Sequence, residues 1–315
     1  MVRTFNDLVK RFLKWAQKAR KPATVAVYRH YFKQFASDNG DVDLSDITPA
    51  CVTAWAHTWH QMQSLKRLFN WAVTEARILA VNPIAGVKNP PKALRRRIFT
   101  RYELVHMLRA SKADCRQLLQ GYRETMARPQ ELRLACWEDL AADDPTIPVR
   151  QALLAGRCSV VLYEFKNHAS RKDTDAPRVI LISPRAGRLL VRLWDRSRTK
   201  KGPIFLTKRG RPWTANALRC RFRRLRVKLE VNRDKRGETL VPYTFRHTGA
   251  TIAAAKGVRD RILADILGHV EVKTTHRYIH LQTKHLQDAL RPVWIKERTI
   301  RPRGDGGLSD TAGGV

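Results

Sequence analysis

Leu267-Gly268-His269-Val270-Glu271-Val272-Lys273-Thr274-Thr275-His276-Arg277-Tyr278 sets a histidine nine residues ahead of a tyrosine. Two earlier stretches are equally rich in reactive side chains. One is Ala127-Arg128-Pro129-Gln130-Glu131-Leu132, which runs on to Trp137 and Asp139. The other is Tyr243-Thr244-Phe245-Arg246-His247, which leads into a run of small residues. Each stretch adjoins a helical pattern. Helices are expected at about 113–120, 128–137, 184–197, 214–230, 243–256, 259–267 and 281–290. Between them, Ser159–Phe165 and Arg178–Ile182 are rich in β-branched residues and read as two strands joined by a polar turn. The fold class is therefore mainly α with a small antiparallel β-sheet, an α+β domain.

Upstream the chain reads differently. Phe5, Leu8, Phe12 and Trp15 recur at helical spacing, and Tyr28, Phe32 and Phe35 mark a second amphipathic stretch. Thr48-Pro49 is a helix start, a capping residue followed by proline. Leu65, Leu68, Phe69, Ala72 and Val73 form one more apolar face, which Asn82-Pro83 is expected to end. This predicts a four-helix unit over residues 1–84. Residues 85–98 contain Pro90-Pro91 and Arg95-Arg96-Arg97 with little periodicity, and read as a linker. Thr100 and Glu103 then form a capping box that opens a second domain, 99–295. The Gly-rich tail, 296–315, is expected to be disordered.

The 315 residues include 61 Lys and Arg against 28 Asp and Glu, a net charge of +33. Residues 1–90 hold 13 basic and 6 acidic residues, so most of the excess lies further on. Such a balance argues against a small acidic metabolic enzyme and for a polyanion as partner, most simply nucleic acid. No apolar run is long enough to span a bilayer, and the N-terminus lacks the apolar stretch of a secretory signal. The five cysteines form no C-x-x-C pair. They are expected to be buried thiols in a reducing, cytoplasmic setting, and no metal site is suggested.

Taken in order, the three segments resemble the tyrosine recombinases, the integrase family that includes phage integrases and Xer-type resolvases. The family pattern runs from Arg-x-x-Glu-Leu and Trp-x-Asp through a hairpin lysine to His-x-x-Arg-His and Leu-Gly-His, with a tyrosine nine residues later. Arg128, Lys166, Arg246, His269 and Tyr278 fall on the pattern's reactive positions, with Glu131 and His247 in support. Leu65 to Asn82-Pro83 resembles the family's helical, SAM-like core-binding domain. The resemblance spans about residues 5–290.

The resemblance implies a DNA strand transferase that uses no metal, nucleotide or other cofactor. Arg128 and Arg246 would grip the non-bridging oxygens of a scissile phosphate and offset charge as the phosphorane forms. Tyr278 would attack phosphorus and form a 3′-phosphotyrosine. Lys166 would protonate the leaving 5′-oxygen, and His269 would hydrogen-bond the phosphate. The expected partner is duplex DNA, gripped by a protein that is monomeric when free and tetrameric on two DNA sites, with strand exchange through a Holliday junction. Accessory DNA-bending proteins, a nucleoid location in a prokaryote, and docking of 281–290 on a neighbouring protomer are further implications. Arg95, Arg96, Arg97, Lys172, Arg219 and Arg223 are expected to follow the DNA backbone, the last two within a basic helix face that also carries Arg221, Arg224 and Arg226.

Two positions stay open in the sequence. Arg123 competes with Arg128, although only Arg128 puts Glu131, Trp137 and Asp139 in place. Lys172 competes with Lys166. One position departs from the pattern: Tyr243 stands where the family has the first histidine of His-x-x-Arg. An ordinary phenol ionises at about pH 10 and is a poor proton acceptor at neutral pH. That departure keeps alive a second function, a non-catalytic DNA-binding relative. A third, a type IB-like topoisomerase, shares the chemistry without sequence preference.

Overall fold

The computed structural model describes residues 2–92, 95–163, 177–231, 233–269 and 271–275. The chain divides into two compact units, Met1–Leu94 and Arg95–Val315.

The first unit contains α1 (Phe5–Ala19), α2 (Pro22–Asn39), α3 (Pro49–Trp55) and α4 (Trp59–Thr74). Its helix starts are set by side chains. Thr4 and Thr48 accept from the third backbone N–H beyond them, and Thr58 and Gln61 form a reciprocal capping box. Phe5, Leu8, Phe12, Phe32, Phe35, Leu65, Leu68 and Phe69 make the core. Burying each such side chain is worth about 1.5–3 kcal/mol. Trp15 is only half-buried, with the guanidiniums of Arg20 and Arg67 over its ring at 5.3 and 5.0 Å. The last helix ends at Thr74, well before the expected stop at Asn82-Pro83. Instead Asn82 pins the following loop: its side chain donates to Asn70 Oδ1 (2.6 Å) and accepts from the Ile84 N–H (2.9 Å).

The second unit opens with α5 (Arg101–Ala110), capped by Thr100 and Glu103 as expected. There follow α6 (Ala113–Thr125), α7 (Pro129–Leu134), β1 (Leu140–Ala142), α8 (Val149–Ala155), β2 (Cys158–Leu162), β3 (Arg178–Leu181), α9 (Pro184–Arg196), α10 (Ala215–Lys228), α11 (Thr244–Ala255) and α12 (Asp260–Leu267). The expected helix at 128–137 is broken: α7 stops at Leu134 and a short 3₁₀ turn, Trp137–Asp139, follows. Asp139 accepts from the Cys136 N–H at 2.7 Å and so shapes that turn. The strand expected to reach Phe165 pairs only to Leu162 among the described residues.

The sheet is antiparallel in the order β1-β2-β3. Leu140, Val160 and Ile180 align across it and are all buried. The alternation on β3 buries Arg178 and Ile180 and exposes Val179 and Leu181. An arginine therefore starts the inward face of this strand.

All five cysteines are free thiols. The burial expected of them holds for Cys115 and Cys158 but not for Cys51, Cys136 and Cys220, which are half-buried on helix flanks or in a turn. Burial pushes Cys115 and Cys158 up to about 11 from an ordinary 9.0. Between pH 9 and 11 the unfolded chain gives up these protons while the folded chain keeps them. Their contribution is complete below pH 9 and is lost as pH rises towards 11, at up to about 1.4 kcal/mol per pH unit for each thiol. Urea unfolding of wild type and Cys115→Ala between pH 8 and 10.5 checks this, and the variant should show the shallower alkaline decline. Among the described residues no helix is long and apolar enough to cross a membrane.

Candidate active site

Three segments meet at the C-terminal end of α12. The first leaves α6 through Met126, which is left-handed at φ 52 and turns the chain towards Arg128. Arg128 caps α7, with Pro129 at the first helical position. Glu131, one turn on and buried, accepts from the Arg128 backbone N–H (2.9 Å) and from its Nη1 (2.5 Å). That leaves Nη2 of Arg128 to donate to the Gly268 carbonyl at 3.0 Å.

The second segment is the first turn of α11. Arg246 is 0 % exposed. Its Nη1 donates to the Met126 carbonyl (3.0 Å), and its Nη2 donates to the Leu267 carbonyl and lies 3.2 Å from His269 Nε2. Arginine has no acceptor, so His269 Nε2 accepts, and its Nδ1–H is left to donate to Thr275 Oγ1 at 2.9 Å. Gly268 closes α12 in the left-handed conformation at φ 62 and delivers His269 to this position.

Arg128 and Arg246 thus hold adjacent carbonyls, those of Gly268 and Leu267. Their charges are met unequally. Arg128 pairs with Glu131, whereas Arg246 has no carboxylate partner among the described residues and its Nε has no hydrogen-bond partner there. A buried cation held by carbonyl dipoles and an imidazole nitrogen, with no carboxylate beside it, favours an incoming anion.

A further arginine belongs to the cluster. Arg178, 2 % exposed, lies 3.7 Å from Glu131 Oε2, donates to the Val179 carbonyl (2.7 Å), and packs on Gly268. It ties the sheet to the Arg128–Glu131 pair and to the end of α12. In the sequence it is one basic residue among 61, and only the alternation of Arg178–Leu181 hinted at an inward position.

Tyr243 caps α11 and is half-buried, its ring 5.1 Å from that of the buried His247 and perpendicular to it. Arg123, the competitor of Arg128, is off the cluster and faces Glu124 at 3.4 Å. Lys166, Lys172, His276, Tyr278, His280 and the 281–290 segment lie outside the described residues. Among the described residues no group of three or more His, Cys, Asp or Glu side chains could hold a metal.

The basic residues assigned to DNA behave in two ways. Arg95 and Arg223 crowd Arg226, which is held below the usual arginine range by burial first and then by repulsion from Arg223, Arg233 and Arg95. Arg219 lies exposed on the same helix, donating to Asn216 Oδ1 at 2.8 Å. By contrast, the backbone N–H groups of Arg96 and Arg97 both donate to Glu238, and the Arg97 guanidinium pairs with Glu103. Arg97 is therefore paired with an acidic side chain in this structure.

Residues 92–285 match the phage integrase family and residues 4–60 match the phage integrase N-terminal SAM-like domain. The tyrosine recombinase XerA of Pyrococcus furiosus is 27% identical over 157 residues, 50% of this chain and 42% of XerA. XerD of Corynebacterium glutamicum is 30% identical over 107 residues, 34% of this chain and 31% of XerD. These matches span less than half the length of either relative. In fold, the chain is similar to a lambda integrase dimer bound to a COC' core site (TM-score 0.67, 17% identity, 87% of this chain and 77% of that one). It is equally similar to the Tn1549 transposon integrase in complex with transposon right end DNA (TM-score 0.67, 16% identity, 92% and 99%). With residues 92–285, more than half of its length, matched by the phage integrase family, the chain belongs to that family, the tyrosine recombinases.

Proposed function

We propose that the protein cuts and rejoins duplex DNA at a specific site through a covalent 3′-phosphotyrosine at Tyr278. The observation that carries this reading is the pair Arg128 and Arg246 on adjacent carbonyls beside His269, one of the two without a carboxylate partner among the described residues. A phosphodiester between them receives two guanidiniums, and a developing phosphorane gains most from donors already fixed in place. Glu131 and Arg178 supply that fixing. Engagement of DNA requires Arg246 to be uncovered, since it is fully buried in this conformation.

In the first step the Tyr278 hydroxyl gives its proton to solvent water, its oxygen bonds to phosphorus, the bond to the 5′-oxygen breaks, and that oxygen takes a proton from Lys166. Attack by another 5′-hydroxyl reverses the step and releases the tyrosine. The phosphotyrosine conserves the bond, so the cycle needs no nucleotide. Residues 1–84 and the 99–295 domain would each bind the DNA, with four protomers on two sites. The test is a suicide duplex nicked beside the scissile phosphate. A denaturant-resistant protein–DNA adduct that disappears in Tyr278→Phe supports the enzyme. Its absence at every site tried would favour the non-catalytic binder, the reading motivated by Tyr243. Plasmid relaxation without recombinants would favour the topoisomerase.

Tyr243→His bears on the proton taken from the nucleophile. Restoring a base is expected to leave adduct formation unchanged or raise it, by at most about 10²-fold. A fall of more than tenfold would show that the phenol itself is used, as a hydrogen-bond donor to phosphate.

A further inference from the structure

Beyond the catalytic cluster, α9 carries Arg185, Arg188, Arg192 and Arg196. Steps of three, four and four residues keep them in one stripe of the helix. All four are exposed, while Ala186, Leu189 and Leu190 on the other side are buried. None of the four has an acidic partner among the described residues. The nearby Asp195 is taken by Arg150, at 2.8 and 3.0 Å.

The stripe forms one wall of a groove whose other wall is α6. Two cavities of about 270 and 240 Å³ share Gln120, Leu189 and Arg192 and so run into one another. Arg123 and Arg116 line the α6 side. Arg116 is engaged with the carbonyls of Arg109 and Ser111. Among the described residues, the one carboxylate lining the groove is Glu124, which faces Arg123 at 3.4 Å and accepts from Ser183 Oγ at 3.3 Å. The groove therefore offers a line of uncompensated guanidiniums. From Arg185 to Arg196 that line runs about 16 Å at ~1.5 Å per residue. It equals the axial span of roughly five phosphates on one strand of B-DNA at ~3.4 Å each.

We propose that the groove between α6 and α9 binds the phosphate backbone of duplex DNA outside the phosphodiester that is cut. Four exposed, fork-shaped donors in a regular row suit the evenly spaced charges of a phosphate strand better than the irregular carboxylates of an acidic protein. The groove ends beside the catalytic cluster, because α6 leads directly into Met126, whose carbonyl accepts from Arg246. The inference rests on the recombinase reading for the presence of DNA, but not on its chemistry.

The test is Arg188→Gln with Arg192→Gln, both on the solvent face, in the full chain. Binding to a 60-bp random-sequence duplex is measured against salt. Each lost phosphate contact should flatten the log K against log salt slope by about 0.9. The double variant should thus lose about 1.8 in slope and more than tenfold in affinity. Lys208→Gln with Arg209→Gln removes the same charge from an exposed loop outside the groove. An unchanged slope in the groove variant would overturn the proposal, as would an equal change in the loop variant, which would reflect net charge alone. An unchanged slope with loss of polyglutamate binding would assign the groove to acidic protein instead. Absence of the Tyr278-dependent adduct in wild type would sink the catalytic reading and leave the groove measurement intact.

Discussion

Arg246→Ala is expected to lower adduct formation by about 10³-fold and to destabilise the second unit by about 2–4 kcal/mol. The two effects have separate causes. Removing the side chain leaves the Met126 and Leu267 carbonyls without their donor, and each orphaned buried group costs about 1–3 kcal/mol. It also removes a fixed charge from the place where the phosphorane gains negative charge, and a single preorganised donor is worth about 10²–10³ in rate. His269 loses a neighbour as well, at 3.2 Å. Binding should fall much less, since many other basic residues meet the backbone. Urea unfolding and single-turnover adduct formation at saturating DNA read the two effects independently. Cleavage within tenfold of wild type would reduce Arg246 to a folding contact.

Gly268→Ala comes next in expected size. At φ 62 an alanine costs about 1–2 kcal/mol in backbone strain. The added methyl would also stand 2.8 Å from Arg178 Cδ and Nε, atoms held in place by the ion pair with Glu131. Moving Arg178 disturbs Glu131 and with it Arg128, while the bend at Gly268 shifts both His269 and the carbonyl that Arg128 holds. Displacements of about 1 Å can cost 10²-fold in rate. The expected result is a stability loss of about 2–4 kcal/mol and a fall in adduct formation of about 10²-fold. Gly257→Ala isolates the backbone part: its φ is 81 and a methyl there meets nothing within 4 Å. That variant should lose stability but keep its cleavage rate. Equal rate losses in both would show that strain, and not Arg178, connects Gly268 to the site.

Features set by neighbours in sequence were the legible ones. The Thr100–Glu103 box, the Thr48-Pro49 start and the strands on either side of the hairpin all follow from local chemistry. So do Arg128 with Glu131, and Arg246 and His269 as members of one site, because the spacing of the family pattern carries them. What escaped depends on partners far along the chain. Leu140–Ala142 has no strand pattern of its own and is a strand because Val160 and Ser159 pair with it. Arg178 is defined by Glu131 and Gly268, which strand pairing and helix packing bring to it. The pairing of Arg97 was not legible either: Glu103, having satisfied Thr100 with one oxygen, uses the other for Arg97. The helix ahead of Asn82-Pro83 ends early, at Thr74, and Asn82 reaches back along the chain to Asn70.

The decisive measurement is the chemical identity of the DNA attachment point. Adduct trapped on a nicked duplex is digested with nuclease and protease, and the nucleotide-bearing peptide is sequenced by mass spectrometry. The account predicts one modified peptide, carrying a 3′-phosphonucleotide on Tyr278. Attachment at Tyr243 or at any other residue, or through a 5′-phosphate, would contradict it.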